Sequence, residues 1–473
     1  MVRLMTKRVD MSDALSRRMN PLERRATFSI ASIFSTRMLG LFMIFPVFAL
    51  FAEQEFSNVT GIQIGLAIGA YGLTQALLQI PYGMLSDRFG RKPLIQLGLI
   101  IFLIGSIVCA LAESIEMMIL GRAIQGAGAV AAVLTASVSD LVREPYRLRA
   151  MSIVGITIGL SFTLSLVLGP LLAEFIGVRG IFWVIAALAL LAMLLVWVAL
   201  PPITEQRFQR EAEAVPSQLL QVVKNTQLLR LDVGVFILHA ILTAMFVAIP
   251  FILRDEGGMD SMSHWEIYLP VMLLSFVLMV PLIIQAESRG RMKMIFVGAI
   301  AMIALTQLGF AVYQQSLFLL FVLLLLFFTA FNVLEASLPS LVVKLSPADK
   351  KGTASGVYSS SQFMGAAIGG AVGGFFFQFY GYNGLFLFTM SLAIIWVALA
   401  ATMQKPMPWS IASVSVGPVL TSEVPSLEQK LCAYDGVFEA VVIPDEQQAY
   451  FKIDRKVVDE TALLDYFKQA REK

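Results

Sequence analysis

The chain alternates long uncharged runs with short charged breaks. Residues 56–86 form one uncharged run of 31 and residues 93–112 another of 20; between them stand Asp87, Arg88, Arg91 and Lys92. Further on, 294–334 is uncharged for 41 residues and 352–404 for 53. A helix rises 1.5 Å per residue, so about 20 apolar residues cross a hydrocarbon core. The two longest runs therefore hold more than one crossing, divided at Gln314-Gln315 and at Gly381-Tyr382-Asn383-Gly384. The pattern predicts twelve helical spans near 26–51, 62–86, 93–112, 117–140, 148–175, 180–200, 231–253, 266–286, 294–313, 316–341, 353–378 and 384–403. Backbone groups in lipid must bond within their own segment, which selects helices, and the alternating ten-residue strands of a barrel are not seen.

Composition agrees. Residues are 58% hydrophobic and 14% charged, with mean hydropathy +0.78, against about 25% charged in soluble proteins. The reading is an all-α polytopic protein whose surroundings are a lipid bilayer. A net charge of +2 offers no bulk attraction for nucleic acid. Two cysteines, Cys109 and Cys432, give neither a disulfide framework nor a zinc spacing, and no cofactor motif or P-loop is present. The expectation is no metal, no cofactor and no enzyme chemistry. The first 25 residues carry seven Lys/Arg and precede a run too long for a cleavable signal.

Lys and Arg counts orient the chain. With residues 1–25 inside, four short inner loops carry Arg88, Arg91, Lys92, Arg143, Arg147, Arg149, Arg289, Arg291, Lys293, Lys344, Lys350 and Lys351, and the six outer loops carry only Arg179 and Arg254. This predicts a bacterial inner-membrane protein with both termini cytoplasmic. The polar connection 201–230 divides the spans into an N-terminal bundle, 26–200, and a C-terminal bundle, 231–403. Its segment 217–230 reads as an amphipathic surface helix. The two bundles also match each other. At an offset of 200, Leu134–Val142 falls on Leu334–Val342; at 204, Gly169, Phe175, Gly177, Gly180 and Phe182 fall on Gly373, Phe379, Gly381, Gly384 and Phe386. Two six-span repeats in the same orientation follow.

After a proline-rich linker, 404–425, residues 426–473 read as a small soluble α+β unit. Helices are expected at Ser426–Tyr434 and Asp459–Arg471 and strands near 413–420, at Val437–Ile443 and at Ala449–Ile453, most of a ferredoxin-like fold. Cys432 stands alone there, which argues against metal binding.

Gly83-x-Leu85-x-Asp87-Arg88-x-Gly90-Arg91-Lys92 resembles the loop 2–3 signature of the major facilitator superfamily. Arg122-x-x-Gln125-Gly126-x-Gly128 resembles the fourth-helix signature of its drug:proton antiporters, and the C-terminal unit resembles that of the YajR-type subgroup. The fifth-span antiporter signature is incomplete: Gly169-Pro170 is present, but Ser165, Ala173 and Glu174 stand where glycines are usual. The resemblance implies a latch at the cytoplasmic seam that holds the halves together when the transporter faces outward, in which Asp87 caps the eleventh helix near Gly352-Thr353 and Arg91 pairs with Asp140. Gly83 and Gly90 would allow close approach and a tight turn. Glu287, Gly290 and Arg291 would form a weaker copy. The alternative is a solvated, positive-inside turn.

Four ionisable residues fall well inside the spans, five or more residues from either end: Arg37, Arg122, His239 and Glu335. They map to the first, fourth, seventh and tenth spans, which line the central cavity in the resembled family. Such residues are costly in lipid and mark function by default. Glu335 is the candidate proton carrier, with a permanent salt bridge to a cation such as Arg37 as the rival reading. Arg37 reads as a fixed charge that tunes the site or binds substrate. His239 either titrates or packs neutrally. Arg122 with Gln125 either relays protons, as the resemblance implies, or pairs structurally. Together these predict a proton-coupled exporter of a small, hydrophobic solute, a monomer working by rocker-switch alternating access. The alternative is a membrane ligand sensor or a facilitator whose C-terminal unit regulates, signals or makes contacts.

Overall fold

The computed structural model describes residues 19–203, 216–347, 350–404, 410–415, 423–443, 448–453 and 458. Helix α1, Pro21–Phe42, opens on a capping box in which Asn20 Oδ1 accepts from the Glu23 amide and Glu23 answers the Asn20 amide. The first crossing is not one helix. Pro46 lacks an N–H, the chain turns through 43–47, and α2, Phe48–Glu55, finishes it. Next come α3, Gly61–Phe89, and α4, Arg91–Ala110. The fourth crossing is also broken, into α5, Ile115–Ala127, and α6, Ala131–Leu141. The break falls where a Cβ at Gly128 would lie 2.3 Å from the Gly98 carbonyl oxygen, so the backbones of the third and fourth crossings touch there.

Helix α7 runs from Glu144 to Val198, 55 residues. That would be about 80 Å if straight, far more than a bilayer. Gly177, at φ 68°, turns it back, so it holds two crossings. The linker contributes α8, Pro216–Lys224, and Asn225 then caps α9, Thr226–Asp255, by accepting from the Gln227 and Leu228 amides. The seventh crossing therefore starts five residues earlier than the hydrophobic run suggests, and the linker helix is correspondingly shorter. Helices α10, Trp265–Ser288, α11, Met292–Val312, and α12, Leu317–Leu345, follow. Helix α13, Lys351–Ala401, reverses at Gly381, φ 64°. Gly177 and Gly381 are the pair matched at offset 204, and they do the same work.

Nine helices among the described residues are long and apolar enough to cross a membrane. Two of them contain two crossings each, and α1 with α2 supplies the first, which accounts for the twelve expected.

The eleventh crossing, the first part of α13, is the hub. Cβ atoms at Gly365 and Gly369 would fall 2.1 and 2.2 Å from the Phe236 and Ala240 carbonyl oxygens of α9. On another face, Cβ atoms at Gly370 and Gly374 would fall 2.5 and 2.2 Å from the Gly65 and Gly61 carbonyl oxygens of α3. The small-residue run predicted for close packing is used on both faces. Named contacts between the two halves cluster in the middle and at the end away from the arginine-rich loops. Arg254 Nη1 meets Glu53 Oε2 at 2.6 Å, Gln378 Oε1 accepts from the Ile62 amide at 3.3 Å, and Phe45 packs on Phe246.

The C-terminal unit has strands β1, Ser410–Ser415, β2, Val437–Ile443, and β3, Gln448–Ile453, with α14, Val424–Cys432, between β1 and β2. The sheet is antiparallel in the order β1-β3-β2, the ferredoxin-like order for these strands. Leu427 and Leu431 of α14 pack on Ala440, Val442 and Phe451. The expected helix Asp459–Arg471 lies outside the described residues.

Candidate functional site

Two places carry the chemistry: the joint between α3 and α4, and the middle of the two bundles. At the joint, Gly90 adopts φ 96°, which lets α3 end at Phe89 and α4 begin at Arg91. Arg91 is 2% exposed. Its Nε donates to Asp140 Oδ2 at 2.9 Å, and its Nη1 donates to Ser86 Oγ at 2.6 Å and to Asp87. The expected Arg91–Asp140 pair is present and dry. Lys92 Nζ donates to the Leu200 carbonyl at 2.5 Å, tying this loop to the end of the sixth crossing. Arg88 lies over the Phe89 ring.

Asp87 is held within its own half. Its carboxylate is engaged by Arg91, and among the described residues no hydrogen bond joins it to α13. The first residue of that helix end, Lys350, supplies no side-chain cap, and Thr353 Oγ1 instead donates to Gln218 Oε1 of α8 at 3.2 Å. Gly83 has only Ala132 near, at an ordinary 3.7 Å, so the close approach expected there is not made. The physical reason is the position of the halves: their named contacts lie at the opposite end. In the copy, Gly290 repeats the positive φ, at 62°. Arg291, however, is exposed and shows no ion pair among the described residues, and Ser340 stands where offset 200 would place an acid like Asp140. The Glu287 side chain lies outside the described residues.

In the middle of the N-terminal half, Arg37 and Arg122 are each 1% exposed. Arg37 Nη2 donates to Tyr71 Oη at 2.8 Å and to Gln75 Oε1 at 2.5 Å. Arg122 Nη1 donates to Gln125 Oε1 at 2.8 Å, and Gln125 Nε2 to Ser106 Oγ at 2.9 Å. Tyr71 lies against both guanidiniums, 5.9 Å from Arg37 Cζ and 5.2 Å from Arg122 Cζ. Each cation–π contact supplies about 0.5–2 kcal/mol toward a burial that costs more.

The C-terminal half is built differently. His239 Nδ1 lies 3.1 Å from the Val235 carbonyl, which can only accept, so Nδ1 carries the hydrogen. Nε2 then accepts from Gln362 Nε2 at 2.8 Å, and the same amide donates to Glu335 Oε1 at 3.2 Å. Glu335 Oε2 is 3.8 Å from His239 Nε2. The Glu335 side chain is 37% exposed. Glu335 thus shares a bridge with His239 and makes no salt bridge with Arg37, whose bonds stay within its own half. Of the four ionisable residues, the structure brings together His239 with Glu335, and Arg37 with Arg122 around Tyr71.

Sequence reasoning missed Tyr71, Gln75 and Gln362, which link these charges. Gln75 and Gln79 are hydrogen-bonded four residues apart inside an uncharged run, a signal that was available. Gln362 carried none, because a neutral amide in a small-residue stretch does not stand out. Asp232 was also missed. It is 5% exposed with Oδ2 unpaired, and it was hidden because the hydrophobic run placed the start of the seventh span beside it.

The model of the Major Facilitator Superfamily matches residues 30–362 and 233–425, and that of the YajR YAM domain matches residues 418–468. The chain is 41% identical to "Inner membrane transport protein YajR" of Escherichia coli over 454 residues, 96% of this chain and 99% of that protein. It is 25% identical to "Multidrug resistance protein MdtH" of Aeromonas salmonicida over 71% of this chain and 82% of that one. Among solved structures, a bacterial homolog of the human lysosomal transporter Spinster, inward-facing and occupied, aligns with TM-score 0.62 at 16% identity over 81% of this chain and 96% of that one. The human organic anion transporter MFSD10 aligns with TM-score 0.60 at 20% identity over 80% of this chain and all of that one. A multi-pass membrane transporter with duplicated halves and a small appended sheet domain, the chain belongs to the major facilitator superfamily, in the YajR-type group.

Proposed function

We propose that this transporter is a proton-coupled exporter of a small hydrophobic organic solute across the inner membrane. The observation that carries the reading is the Glu335–Gln362–His239 bridge. One amide serves both titratable groups, so a proton on His239 Nε2 removes one of its acceptors and a proton on Glu335 removes the charge beside the other. A protonated His239 no longer accepts from Gln362 and becomes a cation 3.8 Å from a carboxylate oxygen. A protonated Glu335 gives up its charge at a side chain that is 37% exposed. Either event changes what the cleft offers a solute, which coupling requires. The solute class is supported by the rings where the halves meet: Phe162 of α7 packs on Phe42, Phe328 and Phe331.

The halves touch at the end away from the arginine-rich loops. With those loops cytoplasmic, as twelve Lys/Arg against two indicate, this is the inward-facing arrangement. Asp87 then meets α13 only in the outward-facing state, where the latch of Gly83, Asp87, Arg88, Gly90, Arg91 and Lys92 would form. The transmembrane potential supplies about 2.3 kcal/mol per charge per 100 mV, which can drive export against a gradient.

The test needs no known solute. Spin labels are placed on Phe89→Cys and Arg289→Cys, both exposed, after Cys432→Ser. Their distance distribution should shift between pH 8 and pH 6. Glu335→Gln should hold one distribution at both values; a variant that shifts like its parent would defeat the proton assignment.

A further inference from the structure

The buried centre of the N-terminal half has a surplus of donors and no negative charge. Guanidinium groups stay protonated at any working pH. Nε and Nη1 of Arg37 and Nη2 of Arg122 are buried without a hydrogen-bond partner. The acceptors around them are spent: Gln75 Oε1 and Tyr71 Oη serve Arg37, and Gln125 Oε1 serves Arg122. The carboxamide nitrogens of Gln75 and Gln125 point their hydrogens onward to Gln79 and Ser106. Every described carboxylate of this half sits in a loop or near a helix end. Two permanent cations in a dry bundle, with unspent N–H groups and no acid, are a charge arrangement that an anion completes. Helix breaks on two of the surrounding crossings, at 43–47 and 128–130, give the bundle irregular backbone on either side of the cluster.

We propose that Arg37 and Arg122, held around Tyr71, form an anion-binding site that takes one singly charged group, a halide ion or the carboxylate of a small aromatic acid. The two guanidiniums supply the charge, Tyr71 Oη supplies a hydrogen to donate, and the Tyr71 and Phe102 rings, the latter 5.9 Å from Arg37 Cζ, supply apolar walls. No titrating group takes part, so the site stands or falls separately from the role assigned to Glu335.

The test uses the purified full chain in detergent at constant ionic strength. Sodium gluconate, whose anion is too large and hydrated for so dry a site, is replaced stepwise by sodium chloride or by sodium benzoate, and the thermal midpoint is followed. At least one replacement should raise the midpoint saturably by several degrees. A response to chloride alone identifies a resident counter-ion. A response to benzoate that chloride competes away identifies a carboxylate site. Arg37→Gln should abolish the response. Tyr71→Phe, which removes one hydroxyl and little else, should raise the half-saturating concentration several-fold. Identical midpoints in all three salts, or an Arg37→Gln or Tyr71→Phe protein that responds like the parent, overturns the proposal.

Discussion

The two halves descend to the same six-helix plan and diverge in what they place at its centre. Gly177 and Gly381 turn the chain at equivalent points, and Gly169 and Gly373 face the first crossing of their own half at Met43 and Ala244. At offset 202, between those that align the other landmarks, Arg37 of α1 falls on His239 of α9. Yet Arg37 is a permanent cation buried among Tyr71 and Gln75, while His239 can change charge and shares an amide with a partly exposed carboxylate. Gly and apolar positions set the packing and were kept in step. Polar positions set the chemistry and were free to differ, which lets one bundle act as a fixed electrostatic frame and the other as the responsive part.

The sharpest way to break this comparison is at the loops. Arg91→Ala strips Asp140, whose side chain is fully buried, of this ion pair and should cost about 3–5 kcal/mol. Arg291→Ala, at the exposed equivalent, should stay within about 0.5 kcal/mol. Denaturation in mixed micelles measures both; equal losses would show the halves to be alike here. Next in size, Gly65→Val puts a side chain against the Gly370 carbonyl, where even a Cβ would come within 1.9 Å. It should cost about 1–3 kcal/mol and, because the clash lies between halves, it should shift labels on Phe89 and Arg289 closer together.

A smaller effect separates the halves by pH. Burial alone would push Glu23 up, but the hydrogen bonds from Arg143 and the amides of Asn20 and Arg143, with the Arg143 charge, hold its carboxyl below the usual range. A lowered folded-state value means stability that is present above the unfolded value, near 4.3, and lost as pH falls through the folded one. Acidification below about pH 4 should therefore loosen the α1–α7 tie at Arg143, and Glu23→Gln should flatten that part of the stability profile. The C-terminal half has Asn225 at the position offset by 202, a neutral cap that should show no such dependence. Smallest of all, Ser340→Asp should give Arg291 a partner; a gain of about 0.2–1 kcal/mol is expected for an exposed pair.

The twelve crossings were legible because charge is costly in lipid, so uncharged length and the breaks around Gly90 and Gly381 report topology directly. The Arg91–Asp140 pair was legible through resemblance, and lone charges in apolar runs located Arg37, Arg122, His239 and Glu335. Less legible were features set by neighbours. The breaks at Pro46 and Gly128 depend on what the backbone meets, and the early start of α9 depends on a cap at Asn225 that hydropathy does not register. Asp87 shows a different limit. Its partner changes with the position of the halves, so one sequence implies two contacts and a single structure holds one of them.

The bare backbone of the eleventh crossing has a consequence for how the molecule tolerates change. Gly365 and Gly369 rest on α9, while Gly370 and Gly374 rest on α3, so one stretch of helix serves as bearing surface for both halves at once. Surfaces without side chains slide without having to re-order rotamers, which keeps the motion smooth. They also leave no spare volume for an added methyl, and variation accepted elsewhere in the membrane should be refused along this one strip.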